Sequence, residues 1–306
     1  MPDLYDVIVY GLVCLDTIWR VERLPIPGGY AQVLAERRTI GGEAANTAIA
    51  LARWGVRVAL VGYALGEDED GRLLRALFAR EAPQVDPRFL ATTPEAQTPC
   101  FLCIASADGH RTIFGRCFAP LQAPPLDPEL ARSARMFTLD PYGGEAGVHA
   151  CTVAAEAGLE IIAMDCTGLP EVNARASIAV TSAENIGPEK PLEELAAFAA
   201  ALRDQYGPTT IVTRGEQGCV VAPAGAAGEE AVSVPAYVAP AVVDSTGAGD
   251  VFRAGLIYGR LQSWEIEKAI RFASAAAALN CGELGGWCGV RSVEEIQEFQ
   301  LSRHHP

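Results

Sequence analysis

Positive charge is scarce in this sequence. Against 38 Asp and Glu, its 306 residues carry 24 Lys and Arg, a formal net charge of −14, which disfavours nucleic acid and anionic membrane surfaces as partners. Histidine is scarcer still, with four residues that include His304 and His305 near the C-terminal end, and no spacing among them matches a metal site. Long charge-free apolar runs are also missing. Arg53 and Arg57 interrupt the stretch from Ala48 to Leu65, so no membrane-spanning helix is expected. The opening Met1-Pro2-Asp3-Leu4-Tyr5-Asp6 is acidic and lacks the basic, apolar and small-residue order of a signal peptide. Neither G-x-x-x-x-G-K-[ST] nor G-x-G-x-x-G occurs, which removes the main support for P-loop and ordinary dinucleotide-binding readings.

Half of the residues are hydrophobic, enough for a sizeable core. The nine cysteines, an odd number, are scattered through apolar segments such as Val13-Cys14-Leu15, which suits reduced, buried thiols and a cytoplasmic location. Cys100 and Cys103 form a close pair, but a zinc site needs two more ligands, and residues three apart on a strand face opposite sides.

Asp6 to Gly11 reads as a short buried strand, with Asp16 in the loop beyond its carboxyl end. Thr17 to Arg23 and Ala31 to Thr39 alternate in polarity and read as a partly exposed strand pair, too small to bury much alone. Gly41-Gly42 opens a helical run that stops at Gly55. Val56 to Gly62 reads as a second buried strand, and Asp68 as the cap of a helix from Arg72 to Arg80. Thr98 to Ile104 and Arg111 to Phe114 form a hairpin, and Pro120 to Pro128 a connector. From Met136, strands near 136–139, 159–164, 176–181 and 210–213 interleave with helices near 147–157 and 191–206, which predicts parallel βαβ units. Ile266 to Asn280 and Ser292 to Leu301 are the last expected helices.

One stretch carries chemistry: Val242-Val243-Asp244-Ser245-Thr246-Gly247-Ala248-Gly249-Asp250-Val251-Phe252. A glycine-bearing loop that runs into a helix makes an anion site, because the first-turn N–H groups are unpaired and the positive end of the macrodipole lies behind them. Asp250 at that place has two explanations. It is an ordinary first-turn acid that favours the dipole, or it takes the proton from a hydroxyl lying between itself and a bound terminal phosphate.

The stretch resembles the C-terminal signature of the ribokinase, or PfkB, family of carbohydrate and nucleoside kinases, which usually reads D-T-x-G-A-G-D-x-F; Ser245 stands in place of Thr. The resemblance implies that Asp250 is the catalytic base and that the Gly247, Ala248 and Gly249 amides form the anion hole. Further motifs follow in family order. Gly11 with Asp16, and Gly41-Gly42 with Asn46 in G-G-x-x-x-N, imply that Asp16, Gly41, Gly42 and Asn46 bind substrate hydroxyls. Thr213-Arg214-Gly215-Glu216-Gln217-Gly218 is similar to T-x-G-x-x-G beside the nucleotide, and the small-residue helix ending at Asn280 implies an adenine wall. Asp244 and Thr246 would border a monovalent ion. Glu184, in a poor match to N-x-x-E, is the carboxylate that the resemblance offers to magnesium.

The resemblance therefore implies an α/β protein with a three-layer α/β/α ribokinase-like domain over 1–306 and a small β-sheet lid from about 17–40 and 97–116. ATP, Mg2+ and K+ are the implied cofactors. A sugar or nucleoside is the implied substrate, and a homodimer through the lid sheet is expected. A sugar- or nucleotide-binding regulatory protein without catalysis, on the same fold, is the second reading. Glu43 beside the double glycine argues for a neutral acceptor; Arg111 and Arg116 on the hairpin argue for an acidic one.

Overall fold

The structure, a computed structural model, describes residues 4–106, 111–116 and 123–303. His304, His305, the hairpin turn and the first part of the Pro-rich connector lie outside the described residues.

Among the described residues, thirteen strands make two sheets. The strands are β1 Val7–Gly11, β2 Cys14–Val21, β3 Val33–Gly41, β4 Val58–Gly66, β5 Leu90–Thr93, β6 Cys100–Ser106 and β7 Arg111–Arg116, followed by β8 Met136–Leu139, β9 Glu160–Met164, β10 Ile178–Ser182, β11 Thr209–Thr213, β12 Cys219–Ala222 and β13 Val232–Val234. The helices are α1 Glu43–Arg53, α2 Glu69–Glu81, α3 Pro128–Ala131, α4 Gly144–Glu156, α5 Pro170–Asn173, α6 Ala183–Ile186, α7 Leu192–Tyr206, α8 Ala248–Leu261, α9 Ile266–Asn280 and α10 Val293–Ser302.

The large sheet runs β13-β12-β11-β10-β9-β8-β1-β4-β5. Its strands are parallel from β11 through β5, and β12 pairs antiparallel with both β11 and β13. Central β1 shows why both faces are covered. Val7 and Val9 pack with α1, α8 and α9 on one side, while Ile8 and Tyr10 pack with α3, α4 and α5 on the other, as period-two alternation requires. Helices on both faces of a mostly parallel sheet give the three layers expected.

The smaller sheet runs β3-β2-β6-β7. The pair β2/β3 is antiparallel, β2 pairs parallel with β6, and β6 pairs antiparallel with β7. The expected strand pair therefore does not stand alone, because the hairpin completes it.

Asp16 corrects one expectation. It sits on β2 and not in a loop, since β2 begins at Cys14, three residues after β1 ends, and it is buried at 4 % exposure. The second strand also starts and ends later than Val56 to Gly62, and α2 begins at Glu69 because Asp68 accepts from Gly71 N and sets the helix start there. Helix α9 spans the residues read from the sequence, and Ser292 with Glu295 forms a capping box on α10.

Candidate active site

The glycine loop enters α8 with Gly247 at φ 72°, and no side chain caps the helix. A Cβ at Gly247 would lie 2.0 Å from Gly286 O, so both the left-handed backbone and the close approach demand glycine. Asp244, buried at 2 % exposure, pins the loop from beneath. It accepts from Thr246 N through Oδ1 and from Gly285 N through Oδ2, each at 2.9 Å. The uncapped first turn of α8 faces a cleft of about 920 Å3.

Asp250, in that first turn, lines the cleft and is 6 % exposed. Asn46 Nδ2 on α1 donates to its Oδ2 at 2.8 Å. Burial pushes the Asp250 carboxyl up to about 6, with Arg253 and the Asn46 bond pulling the other way and Asp165 and Asp140 adding to the rise. A carboxyl in that state exchanges its proton near neutral pH.

Asp16 faces the same cleft from β2, and Cys14 Sγ donates to its Oδ1 at 3.2 Å. Burial raises it to about 7; the Cys14 bond opposes the rise, and Asp244 and Asp250 reinforce it. Gly42, Glu43 and Asn46 at the start of α1 line the same cleft as Asp16. Among the described residues, Asn46 Oδ1 and Glu43 Oε2 are buried without a partner; the amide oxygen marks an acceptor position for a donor from outside the chain, while burial raises the Glu43 carboxyl well above its ordinary range.

The opposite end of the cleft is formed by Thr213, Gly215 and Gly218 at the β11–β12 turn, together with Ser274 and Ala277 of α9. Asn280 does not join them. It is fully buried and donates to Gly286 O at 3.0 Å. Gly41 and Asp244 likewise stand behind the cleft wall, while Thr246, Gly247, Ala248 and Gly249 are on it. Gly41 has a positional reason of its own, since a Cβ there would lie 2.0 Å from Asp16 Oδ2.

Glu184 borders the cleft but its side chain is 70 % exposed, and it pairs with Arg111 at 3.3 Å. Arg111 also donates to Ser245 Oγ at 2.9 Å, so it crosses from the smaller sheet to the glycine loop. Arg116 pairs with Asp70 instead. Among the described residues no group of three or more His, Cys, Asp or Glu forms a metal-holding cluster, and no helix is long and apolar enough to cross a membrane.

Four residues were not singled out from the sequence, Tyr142 and Asp165 on the cleft wall and Asp140 and Arg253 buried behind it. Asp140 accepts from Leu12 N at 2.6 Å and Tyr63 OH at 2.7 Å, and burial raises its carboxyl. Tyr142 OH donates to Glu43 Oε1 at 2.7 Å. Asp165, at φ 54°, accepts through Oδ1 from Thr181 Oγ1 at 2.7 Å. Arg253 is the fourth. Asp140 and Asp165 carried a readable signal, since each directly follows an apolar strand whose carboxyl end is where parallel sheets bind ligands.

An ATP-dependent ribose-1-phosphate kinase of Halopiger xanaduensis is 28 % identical, over 90 % of this chain and 91 % of its own length. A nucleoside kinase of Methanocaldococcus jannaschii is 26 % identical over 96 % of each chain. The structure of Arabidopsis thaliana ribokinase complexed with ribose and ATP superimposes with a TM-score of 0.80 at 21 % identity, over 98 % of this chain and 99 % of that one. The description "pfkB family carbohydrate kinase" matches residues 5–287, nearly the whole chain, and the protein therefore belongs to the pfkB family of carbohydrate kinases.

Proposed function

We propose that this protein transfers the γ-phosphate of ATP to a hydroxyl of a neutral sugar or nucleoside, with Asp250 as general base. The observation that carries the reading is Asp250 itself, a buried carboxyl on the wall of a cleft, in the first turn of an uncapped glycine-started helix.

An acceptor between Asp16, Gly42 and Asn46 would present its hydroxyl to Asp250, and the unpaired Asn46 Oδ1 would take a donor from it. The terminal phosphate would rest on the Gly247, Ala248 and Gly249 amides. As the acceptor oxygen forms its bond to phosphorus, its proton passes to Asp250, the bond to the ADP oxygen breaks and the amides hold the charge on the equatorial oxygens. Thr213, Gly215 and Gly218 line the end where the nucleotide would lie, beside the small residues of α9. Asn280 supports that end from behind, by holding Gly286.

The donor set fits magnesium only as an ion arriving with the nucleotide, since no protein cage exists among the described residues; magnesium keeps several waters and shares carboxylate and phosphate oxygens. Glu184 and Asp165 are the carboxylates at hand, and the ion would supply charge neutralisation. The monovalent site fits in part. Among the described residues, Thr246 Oγ1 is buried without a partner, while both Asp244 oxygens are engaged, so carbonyls and Thr246 would do the holding.

The neutral acceptor follows from charge. Asp16, Glu43 and Asp250 surround the acceptor position, and Arg111 is committed to Ser245 and Glu184. A cytoplasmic place, where ATP is supplied, and a homodimer through the smaller sheet, whose Val33, Leu34 and Phe114 are exposed, belong to the same reading. ADP release measured with fructose, ribose and adenosine beside fructose 6-phosphate tests it: turnover of a neutral acceptor is expected, and a hundredfold preference for the phosphorylated one would overturn the neutral class.

A further inference from the structure

Arg253 lies one helical turn beyond Asp250 on α8 and is fully buried. Its hydrogen bonds all go to neutral oxygens. Nε donates to Thr47 Oγ1 at 2.9 Å, Nη1 to Leu139 O at 3.3 Å and Nη2 to Glu43 O at 2.6 Å. The fork therefore ties α8 to the start of α1 and to the end of β8. Nη2 lies 3.8 Å from Asp250 Oδ1, near enough for charge and too far for a hydrogen bond.

That distance has a consequence for Asp250. Its Oδ2 is held by Asn46, while Oδ1 has no hydrogen bond from the described residues. A guanidinium bonded directly to Oδ1 would occupy the lone pairs that a proton needs. Here the cation is fixed by other partners and leaves them open.

The surroundings make a cation necessary. Asp250 is faced by Glu43 and Asn46 of α1, by Asp140 after β8, by Asp165 after β9 and, from the smaller sheet, by Asp16. Burial, Asp165 and Asp140 favour a protonated carboxyl at Asp250, and Arg253 opposes them most strongly, with the Asn46 bond beside it. A carboxyl that already holds its proton cannot take another from a hydroxyl.

We propose that Arg253 is a positioning residue for Asp250: locked to Thr47, Leu139 and Glu43, it turns its positive charge toward the open Oδ1 and keeps that oxygen ready to accept the acceptor's proton. The inference rests on the reading of Asp250 as general base. A brace without this electrostatic role would predict that loss of Arg253 lowers stability and rate together while the pH dependence stays where it was.

The test is a carboxyl 13C NMR titration of Asp250 in the full chain, assigned with Asp250→Asn, in the wild type, Arg253→Lys and Arg253→Gln. The acid limb of kcat/KM is recorded beside it, and a thermal melt establishes that each variant is folded. The midpoint and the limb are expected to rise in the order wild type, Lys, Gln. A single ammonium cannot reproduce the fork, and loss of a charge within about 4–6 Å moves a carboxyl by about 1–3 units. Rate in the Gln variant should return toward the wild type at alkaline pH. Unmoved midpoints in folded variants would overturn the proposal; if Gln does not fold, the Lys midpoint alone decides in the same way. No ADP release from the wild type, with the NMR shift intact, would instead count against the kinase reading and leave the Arg253–Asp250 coupling standing.

Discussion

Asn46 Nδ2 donates to Asp250 Oδ2 at 2.8 Å, across 204 positions of sequence. The bond joins the double-glycine helix to the glycine-loop helix, and Thr47 reinforces it by donating to Asp250 O at 3.2 Å. Acceptor hydroxyls and the proposed base are thus registered by one pair of helices. A shift of either would misplace both, and misplacement by an ångström is enough to cost a large factor in rate.

Asp16→Asn should make the protein more stable at pH 8 while weakening acceptor binding. The Asp16 carboxyl is raised to about 7 in the fold against an ordinary value of 3.8, so the folded state binds the extra proton between these two values. Stability therefore falls as pH rises through that window, and above it the buried charge is an unrelieved cost, on the order of a few kcal/mol. Thermal melts of both proteins at pH 4 and pH 8 check this: the gain should appear at pH 8 and shrink toward pH 4. An equal difference at both values would contradict the assignment of the cost to ionisation.

Gly247→Ala should lower both stability and turnover. The residue sits at φ 72°, and the added Cβ would meet Gly286 O at 2.0 Å, which calls for about 1–3 kcal/mol of strain. Chemical denaturation gives the stability change, and a wild-type melting curve with wild-type kcat would show that the loop tolerates a side chain.

Potassium should raise turnover, through the unpaired Thr246 hydroxyl and the loop pinned by Asp244. Rates at matched ionic strength and magnesium, in potassium and in a bulky organic cation, make the comparison. Equal rates would remove the ion from the account.

Much of the layered fold could be read from the sequence because it rests on local periodicity. The small-residue helix α9 and the strands after Met136 repeat their apolar positions at helical or strand spacing, and burial followed that spacing. The acidic site was read where a motif named it, as at Asp16, Asn46 and Asp250, and the strand-end positions of Asp140 and Asp165 were a signal left unused. Asp16 looked like a loop acid because nothing local reveals that β6 pairs beside β2, or that Gly41 leaves room for its carboxyl. Arg253 in Val-Phe-Arg-Ala-Gly was not singled out, because its burial depends on Thr47, Leu139 and Glu43, which are brought in from distant elements. Asn280 failed as a cleft residue for the same reason, since Gly286 folds back over it. Convergence of distant residues is a property of topology and leaves no local trace.

The most direct test of the account is ADP release by wild type and Asp250→Asn, measured with a neutral acceptor that turns over, together with ATP affinity by calorimetry. The account predicts an acid limb near the value of about 6 to which burial raises Asp250, a fall in kcat of about 10²–10⁴-fold in the variant, and unchanged ATP binding. Wild-type kcat in Asp250→Asn would contradict it.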